Sequence, residues 1–280
     1  MRLDGILRPL KNSSEFIQLR KAIEKDIYPV NIVGFSDSSR AYLMKALYDE
    51  LDKPLLVLTY SDVEAKNIYE DISFYISDTY YFPTKEVVFY NIDAISGDLR
   101  WERLKVIKNM LNRKKKVIVA SIESMVANSI PMELYKNYFY KFKIGDIVDF
   151  KELEIKLLQC GYERVEIVDG KGQFSVRGGI FDVYPPTSDQ AFRIELFGDE
   201  VDSIRTFNTD TQRSIDKLKN IEIFPAKEII LTDESIENGY KNIKADLDKV
   251  LNNLKKNNNE EAYNKLLQLT NKNLENLKEN

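Results

Sequence analysis

The first half of the chain alternates short apolar runs with helical patterns. The apolar runs occupy residues 30–33, 55–58, 80–82 and 117–120. Helical patterns precede and separate them, at residues 16–23 and near residues 39–50, 62–75 and 104–111. Parallel strands need long, usually helical crossovers, and strands buried on both faces are apolar throughout. The pattern therefore predicts an α/β fold, with a parallel sheet covered on both faces by helices.

The pattern changes near Pro131. From residue 138 to 224 most segments are short and strand-like, with one helix near 150–160 and frequent glycine-containing turns such as Gly198-Asp199. This half predicts an inserted α+β domain with a mainly antiparallel sheet. Beyond residue 226 the chain becomes helical, with Thr232 as a predicted cap and a second helix from Glu260. We predict domains at 1–130, 131–226 and 227–280.

Composition removes several kinds of chemistry. The 280 residues include no histidine and a single cysteine, Cys160, which excludes Ser-His and Cys-His catalysis, histidine metal sites and an internal disulfide. The formal charge of −4 attracts no nucleic acid. The one basic run, residues 113–116, reads as a solvated helix end. No apolar run reaches membrane-spanning length, and we expect a cytoplasmic protein without membrane contact and without a metal site.

Residues 30–47, VNIVGFSDSSRAYLMKAL, have the outline of a phosphate-binding loop. A working loop reads G-x-x-x-x-G-K-[ST], and here the first glycine is Gly34. Ser39, Arg40 and Ala41 then stand where the second glycine, the lysine and the magnesium-binding hydroxyl are needed. Three of the four signature positions have changed. The pattern predicts a RecA-like, P-loop-NTPase-derived domain with a degenerate Walker A motif.

A catalytic acidic pair should follow an apolar strand of the same sheet. The best match is Asp199-Glu200, which comes after the run Ile194–Phe197. Gly198-Asp199 has the composition of a hairpin turn, however, and strand residues resume with Val201. We therefore predict no catalytic residue in this chain.

The longest specific pattern is GQFSVRGGIFDVYPPTSDQAFRIELFGDEVDSIRTFNTDTQRSI, residues 172–215. It resembles the second domain shared by the excision-repair protein UvrB and the transcription-repair coupling factors. The stretches at 80–104 and 223–228 fit the same family. UvrB keeps an intact Walker A and a long DNA-clamping hairpin after the strand at 80–82, whereas here the loop has changed and the connection is short. The chain therefore resembles the UvrB-homology module, domains 1a, 2 and 1b, of the coupling factors (Mfd).

The resemblance implies a docking site for the repair protein UvrA on Arg177, Arg193 and Phe197. Strand alternation alone puts Phe192, Ile194 and Leu196 in the core, with Arg193, Glu195 and Phe197 on the other face. It likewise directs Phe174 and Val176 inward, and Ser175 and Arg177 outward. Two alternatives, in which these residues have only a structural role, stay open. In the first, another element covers Phe197, and in the second, Arg177 only pairs with a nearby carboxylate.

The first functional hypothesis is a non-catalytic recruitment module that binds UvrA. In that family a motor domain uses ATP and magnesium. The motor, and the parts of the parent protein that bind RNA polymerase and double-stranded DNA, lie outside this chain. The alternative is a divergent UvrB-like, ATP-dependent DNA-damage recognition protein that retains ATP binding through Arg40. A third hypothesis is a DNA-binding module that uses residues 113–116, recognisable by salt-dependent affinity.

Overall fold

The computed structural model describes residues 4–34, 36–85, 97–112, 114–126, 130–230 and 232–279. The helices in these ranges are α1 (Asp4–Lys11), α2 (Ser14–Glu24), α3 (Asp37–Glu50), α4 (Asp62–Tyr75), α5 (Gly97–Leu111), α6 (Ile122–Val126), α7 (Met132–Asn137), α8 (Phe150–Gln159), α9 (Asp233–Lys256) and α10 (Glu260–Glu279). The strands are β1 (Leu55–Thr59), β2 (Thr79–Phe82), β3 (Val117–Ser121), β4 (Tyr140–Lys143), β5 (Glu163–Arg164), β6 (Gln173–Arg177), β7 (Ile180–Tyr184), β8 (Ala191–Phe197), β9 (Glu200–Phe207), β10 (Ser214–Leu218) and β11 (Asn220–Ile223).

The first sheet is parallel, with strand order β1-β3-β2. The central strand β3 is buried along its whole length. Val117 and Val119 belong to the cluster under α3 and α4, and the alternate residues Ile118 and Ala120 belong to the cluster under α5. Burial on both faces explains why this strand reads as a continuous apolar run, and the predicted parallel sheet and the helices around it are confirmed.

Two expectations for this sheet are wrong. Residues 30–33 form no strand, because none of the described strands pairs with them and apolar propensity alone does not make a ladder. Helices also fail to cover both faces at β1, where Leu56 and Leu58 are half exposed. These two residues pair with Ile118 and Ala120, on the face that carries α5. Because α5 packs over β2 and β3, it leaves that face of the edge strand open.

The second sheet has six strands in the order β10-β9-β8-β7-β6-β5, antiparallel except for the short β5–β6 pair. Helix α8 covers one face, where its residues join a buried cluster from the sheet that includes Phe174, Phe181, Ile194 and Ile204. Phe192, Leu196 and Val176 pack on the same cluster, which confirms the predicted inward set. The turn at Gly198-Asp199 is a two-residue hairpin, with Phe197 opposite Glu200 and a φ of +68° at Gly198.

The parallel-sheet domain is joined to the segment that follows β11 through Arg103, which is 2% exposed. Its Nε lies 2.5 Å and its Nη2 3.2 Å from the two carboxylate oxygens of Glu228. Nη1 donates to the carbonyl of Pro83, and the guanidinium lies 3.9 Å from the centroid of the Phe82 ring. Residue 103 belongs to the stretch 80–104 and residue 228 to 223–228. The two sequence patterns are thus joined by one buried ion pair.

The C-terminal helices α9 and α10 pack against each other as a hairpin. Thr232 caps α9 as predicted, through a reciprocal pair of hydrogen bonds with Ser235. Leu247 and Leu251 of α9 and Leu274 of α10 are buried. The domain boundaries at residues 130 and 226 stay predictions.

Candidate docking site

The face of the six-stranded sheet opposite α8, here called the outer face, carries two rows of side chains that run across the strands. Residues in register on neighbouring strands share a face, so each row is contiguous. The first row is Ser175, Asp182, Arg193 and Arg205. The second row is Arg177, Ile180, Glu195 and Ser203. The outer face therefore brings both predicted arginines onto adjacent rows.

A buried carboxylate joins the two arginines. Asp182 has no solvent exposure. Its Oδ1 accepts from Nε of Arg193 at 2.7 Å, and its Oδ2 accepts from Nη2 of Arg193 at 2.8 Å. Oδ2 also accepts from Nη2 of Arg177 at 2.7 Å. Arg177 does therefore pair with a nearby carboxylate, and 45% of its side chain remains exposed.

Arg193 is held more tightly than Arg177. Its Nη1 donates to the carbonyl of Gln212 at 3.2 Å, and its guanidinium lies 4.7 Å from the centroid of the Phe207 ring. Hydrogen bonding to Asp182 raises the pKa of Arg193 above its usual value. Only 15% of the side chain is exposed. Arg193 is thus mainly a component of the sheet, and Arg177 is the arginine that reaches solvent.

Phe197 is the most solvent-exposed large apolar side chain of the described residues, at 84%. It lies at the end of β8, beside the hairpin turn, and neither α8 nor the parallel-sheet domain covers it, so that alternative is wrong. Glu200, its cross-strand partner, also bridges to Ile147, which is exposed. Ile180, partly exposed, lies between Arg177 and Glu195 in the second row. Phe197, Ile147 and Ile180 are therefore three exposed apolar side chains on this part of the sheet, and they are here called the apolar patch.

Three residues of this face were missed from the sequence: Asp182, Ile147 and Ile180. Asp182 lies between Phe181 and Val183, both buried in the core. That alternation places Asp182 on the outer face. An acidic residue at this position of an apolar strand is the sequence signal by which Asp182 could have been found. Nothing in the sequence predicted the isolated bridge that brings Ile147 beside the hairpin.

Residues 34 and 36–41, at the position of the phosphate loop and the start of α3, make the following contacts within the chain. Gly34 has a φ of +86°. The hydroxyl of Ser39 donates to the carbonyl of Ser36 at 2.7 Å. Nη1 of Arg40 lies 3.0 Å from Oε1 of Glu64 in α4. Ala41 is 2% exposed and belongs to the cluster under α3 and α4. The position that carries the magnesium-binding hydroxyl in a working loop is here an apolar core position.

The basic run at residues 113–116 is divided among different contacts. Residue 113 lies outside the described residues. Lys115 lies 4.6 Å from the centroid of the Tyr48 ring. Lys116 is buried, and its ammonium donates to the carbonyls of Asn109 and Asn112 at the end of α5. A cation that satisfies helix-terminal carbonyls is a structural cap. The expectation of a solvated helix end is therefore wrong for Lys116, which is buried and caps the end of α5.

Two kinds of feature are missing from the part of the chain that the structure describes. No cluster of three or more cysteine or acidic side chains there is arranged to hold a metal ion. None of its helices combines the length and the apolar character that crossing a membrane requires.

Comparisons with known proteins match both halves of the chain. Residues 140–229 match the UvrB interaction domain. The transcription-repair-coupling factor of Bacillus subtilis (strain 168) is 34% identical over 255 residues, which are 90% of this chain and 22% of that protein. The coupling factor of Staphylococcus haemolyticus (strain JCSC1435) is 32% identical over 82% of this chain and 20% of its own length. UvrABC system protein B of Fervidobacterium nodosum is 29% identical over 85% of this chain and 38% of its own length.

The outer face thus lies within the stretch that matches the UvrB interaction domain, and the chain is similar over most of its length to transcription-repair-coupling factors and to UvrABC system protein B. Its relatives are of two kinds, the transcription-repair-coupling factors and UvrB. The chain spans about a fifth of the length of the coupling factors that it matches.

Proposed function

We propose that this chain is a recruitment module that docks UvrA on the outer face of its UvrB interaction domain. The observation that supports this proposal most strongly is the exposure of Phe197, whose side chain is almost fully exposed although it lies on a well-packed strand. A large aromatic side chain in water, near an arginine, is the composition of an interface hot spot. Arg177 supplies a planar donor group for a partner carboxylate. The residues proposed for direct contact are Arg177, Arg193 and Phe197, with Ile147 and Ile180 extending the apolar patch.

The parallel-sheet domain is proposed to be RecA-like with a degenerate Walker A motif that binds no nucleotide. Three observations support this. Ser39 donates its hydroxyl within the loop, Arg40 pairs with Glu64, and Ala41 is packed in the core. A magnesium-bound triphosphate needs a lysine and a hydroxyl at the last two of these positions. ATP, magnesium, RNA polymerase and double-stranded DNA would then be bound by parts of a longer protein, and this chain would have no turnover of its own.

Calorimetric titration of UvrA into the whole chain tests the docking function. Arg177→Ala and Phe197→Ala should each weaken binding by roughly 1–4 kcal/mol, because each removes a hot-spot contact. Ile155→Ala is the matched control, since Ile155 is an exposed apolar residue of α8, the helix that covers the opposite face of the sheet. Unaltered affinity for both outer-face variants, with folding intact, would disprove the docking site.

A UvrB-like, ATP-dependent damage-recognition protein is the second candidate, because UvrB relatives align over most of this chain. An equilibrium titration with ATP and magnesium separates the two candidates. The recruitment module predicts no saturable binding. Micromolar, magnesium-dependent binding that is lost in Arg40→Ala would favour the UvrB-like enzyme.

A further inference from the structure

Asp182 is a buried acid whose charge is balanced only by arginines. It lies on a central strand with no exposure, where an ionised carboxylate is strongly destabilised unless it is paired and hydrogen-bonded. Among the described residues, Asp182 accepts three guanidinium hydrogen bonds, two from Arg193 and one from Arg177. One negative charge therefore holds two positive side chains that would otherwise repel each other.

The two arginines use this carboxylate differently. Arg193 forms a two-point contact with it and is further fixed by Gln212. Arg177 gives it only Nη2, and 45% of the Arg177 side chain is exposed, so we infer that Nη1 and Nε are available to a partner. A planar guanidinium that is anchored through one Nη group still has other N–H donors, and these can bind a second carboxylate in a two-point contact.

We propose that Asp182 is the positioning residue of the docking site: it fixes the guanidinium of Arg177 in the orientation that receives a carboxylate of the partner. The inference rests on the proposed docking function. Without Asp182, Arg177 would be a long, freely rotating side chain, and its rotamer entropy would be lost when the partner binds. The partner surface should therefore offer an acidic residue beside an apolar pocket for Phe197.

A double-mutant cycle tests the proposal with UvrA as the probe and the whole chain as the binder. Asp182→Asn should weaken binding about tenfold or more, because it keeps the side-chain shape and removes the charge that orients Arg177. In an Arg177→Ala background the same change should have less than about a twofold effect, because the arginine that remains on Asp182 is Arg193, which the Gln212 carbonyl and the Phe207 ring also hold. Asp202→Asn, which changes an exposed acid of strand β9 in the same sheet, is the control and should bind as wild type.

The outcomes separate the two proposals. Equal weakening by Asp182→Asn with and without Arg177 would overturn the positioning role, because it would indicate a general structural effect. Wild-type affinity of Asp182→Asn, while Arg177→Ala binds weakly, would also overturn it and leave the docking site standing. Wild-type affinity of both Arg177→Ala and Phe197→Ala would overturn the docking site itself.

A second measurement needs no variant and therefore covers the case in which Asp182→Asn does not fold. Nitrogen-15 NMR of arginine side chains in the wild-type chain reports rotation of each guanidinium. Arg177 should show hindered rotation and distinct Nη proton signals, because one of its Nη groups is anchored. The exposed Arg213 should show a single averaged signal. An averaged signal for Arg177 that matches that of Arg213 would overturn the proposal.

Discussion

Removal of the Glu228 carboxylate should destabilise the chain more than the loss of any surface ion pair. Glu228 is 11% exposed on its side chain and makes a two-point contact with Arg103, which is almost fully buried. Glu228→Ala leaves the Arg103 guanidinium buried with one remaining hydrogen bond, to the Pro83 carbonyl, and with the ring of Phe82. An arginine side chain stays charged in proteins, so the uncompensated charge remains buried.

The expected loss follows from this burial. Breaking one side of a buried ion pair costs about 3–5 kcal/mol, whereas exposed pairs contribute about 0–1 kcal/mol. Lys85 also contacts Glu228, at 3.1 Å, but is partly exposed and regains water when the acid is removed. We therefore expect about 3–4 kcal/mol for Glu228→Ala. The double variant Arg103→Met/Glu228→Ala removes both charges and keeps an apolar chain on Phe82, so it should be more stable than Glu228→Ala by at least about 1 kcal/mol.

Urea unfolding followed by tryptophan fluorescence measures these differences. The single tryptophan, Trp101, lies two residues before Arg103 in α5 and therefore reports on this junction. Lys141→Ala is the control, because Lys141 forms an exposed pair with Glu222, and it should cost at most about 1 kcal/mol. A loss below about 1 kcal/mol for Glu228→Ala, or a double variant less stable than the single one, would refute this reasoning.

Three further predictions concern the interior of the chain. Ala41→Ser should cost about 1–3 kcal/mol in urea unfolding, because it buries a hydroxyl, and it should not create ATP binding; a gain of either stability or nucleotide affinity would contradict this. Burial raises the pKa of Cys160 from 9.0 to about 12. The contribution of the buried thiol to the free energy of unfolding is therefore fully present below pH 9 and is lost as the pH rises toward 12. Between pH 9 and 10, wild type should lose about 1 kcal/mol relative to Cys160→Ala, and a constant difference would contradict the shift. Lys116→Met should cost about 1–2 kcal/mol in the same assay, because the carbonyls of Asn109 and Asn112 lose their donor; a change below about 0.5 kcal/mol would contradict the capping role.

Prediction from the sequence succeeded where periodicity carries the information. Strand β3 is apolar throughout because both of its faces are buried, and β8 alternates because only one of its faces is buried. The hairpin after Phe197 follows from the glycine in its turn. Capping chemistry likewise placed the start of α9 at Thr232.

Prediction failed where the outcome depends on a partner that is distant in sequence. Residues 30–33 have strand propensity but no neighbouring ladder, and propensity cannot supply one. The pairs Arg103–Glu228 and Arg193–Asp182 join residues 125 and 11 positions apart, and no local pattern indicates them. The outer face was therefore predicted as a set of exposed side chains, whereas the structure builds it around a buried acid.

Hydrogen exchange of the chain with and without UvrA tests the central claim most directly, because it locates the partner on the fold. The turns at 178–179 and 198–199 flank Arg177 and Phe197. The account predicts that UvrA slows amide exchange in both turns and leaves residues 36–50, at the former phosphate loop and α3, unchanged. Slowed exchange at residues 36–50 with no change in the two turns would contradict it.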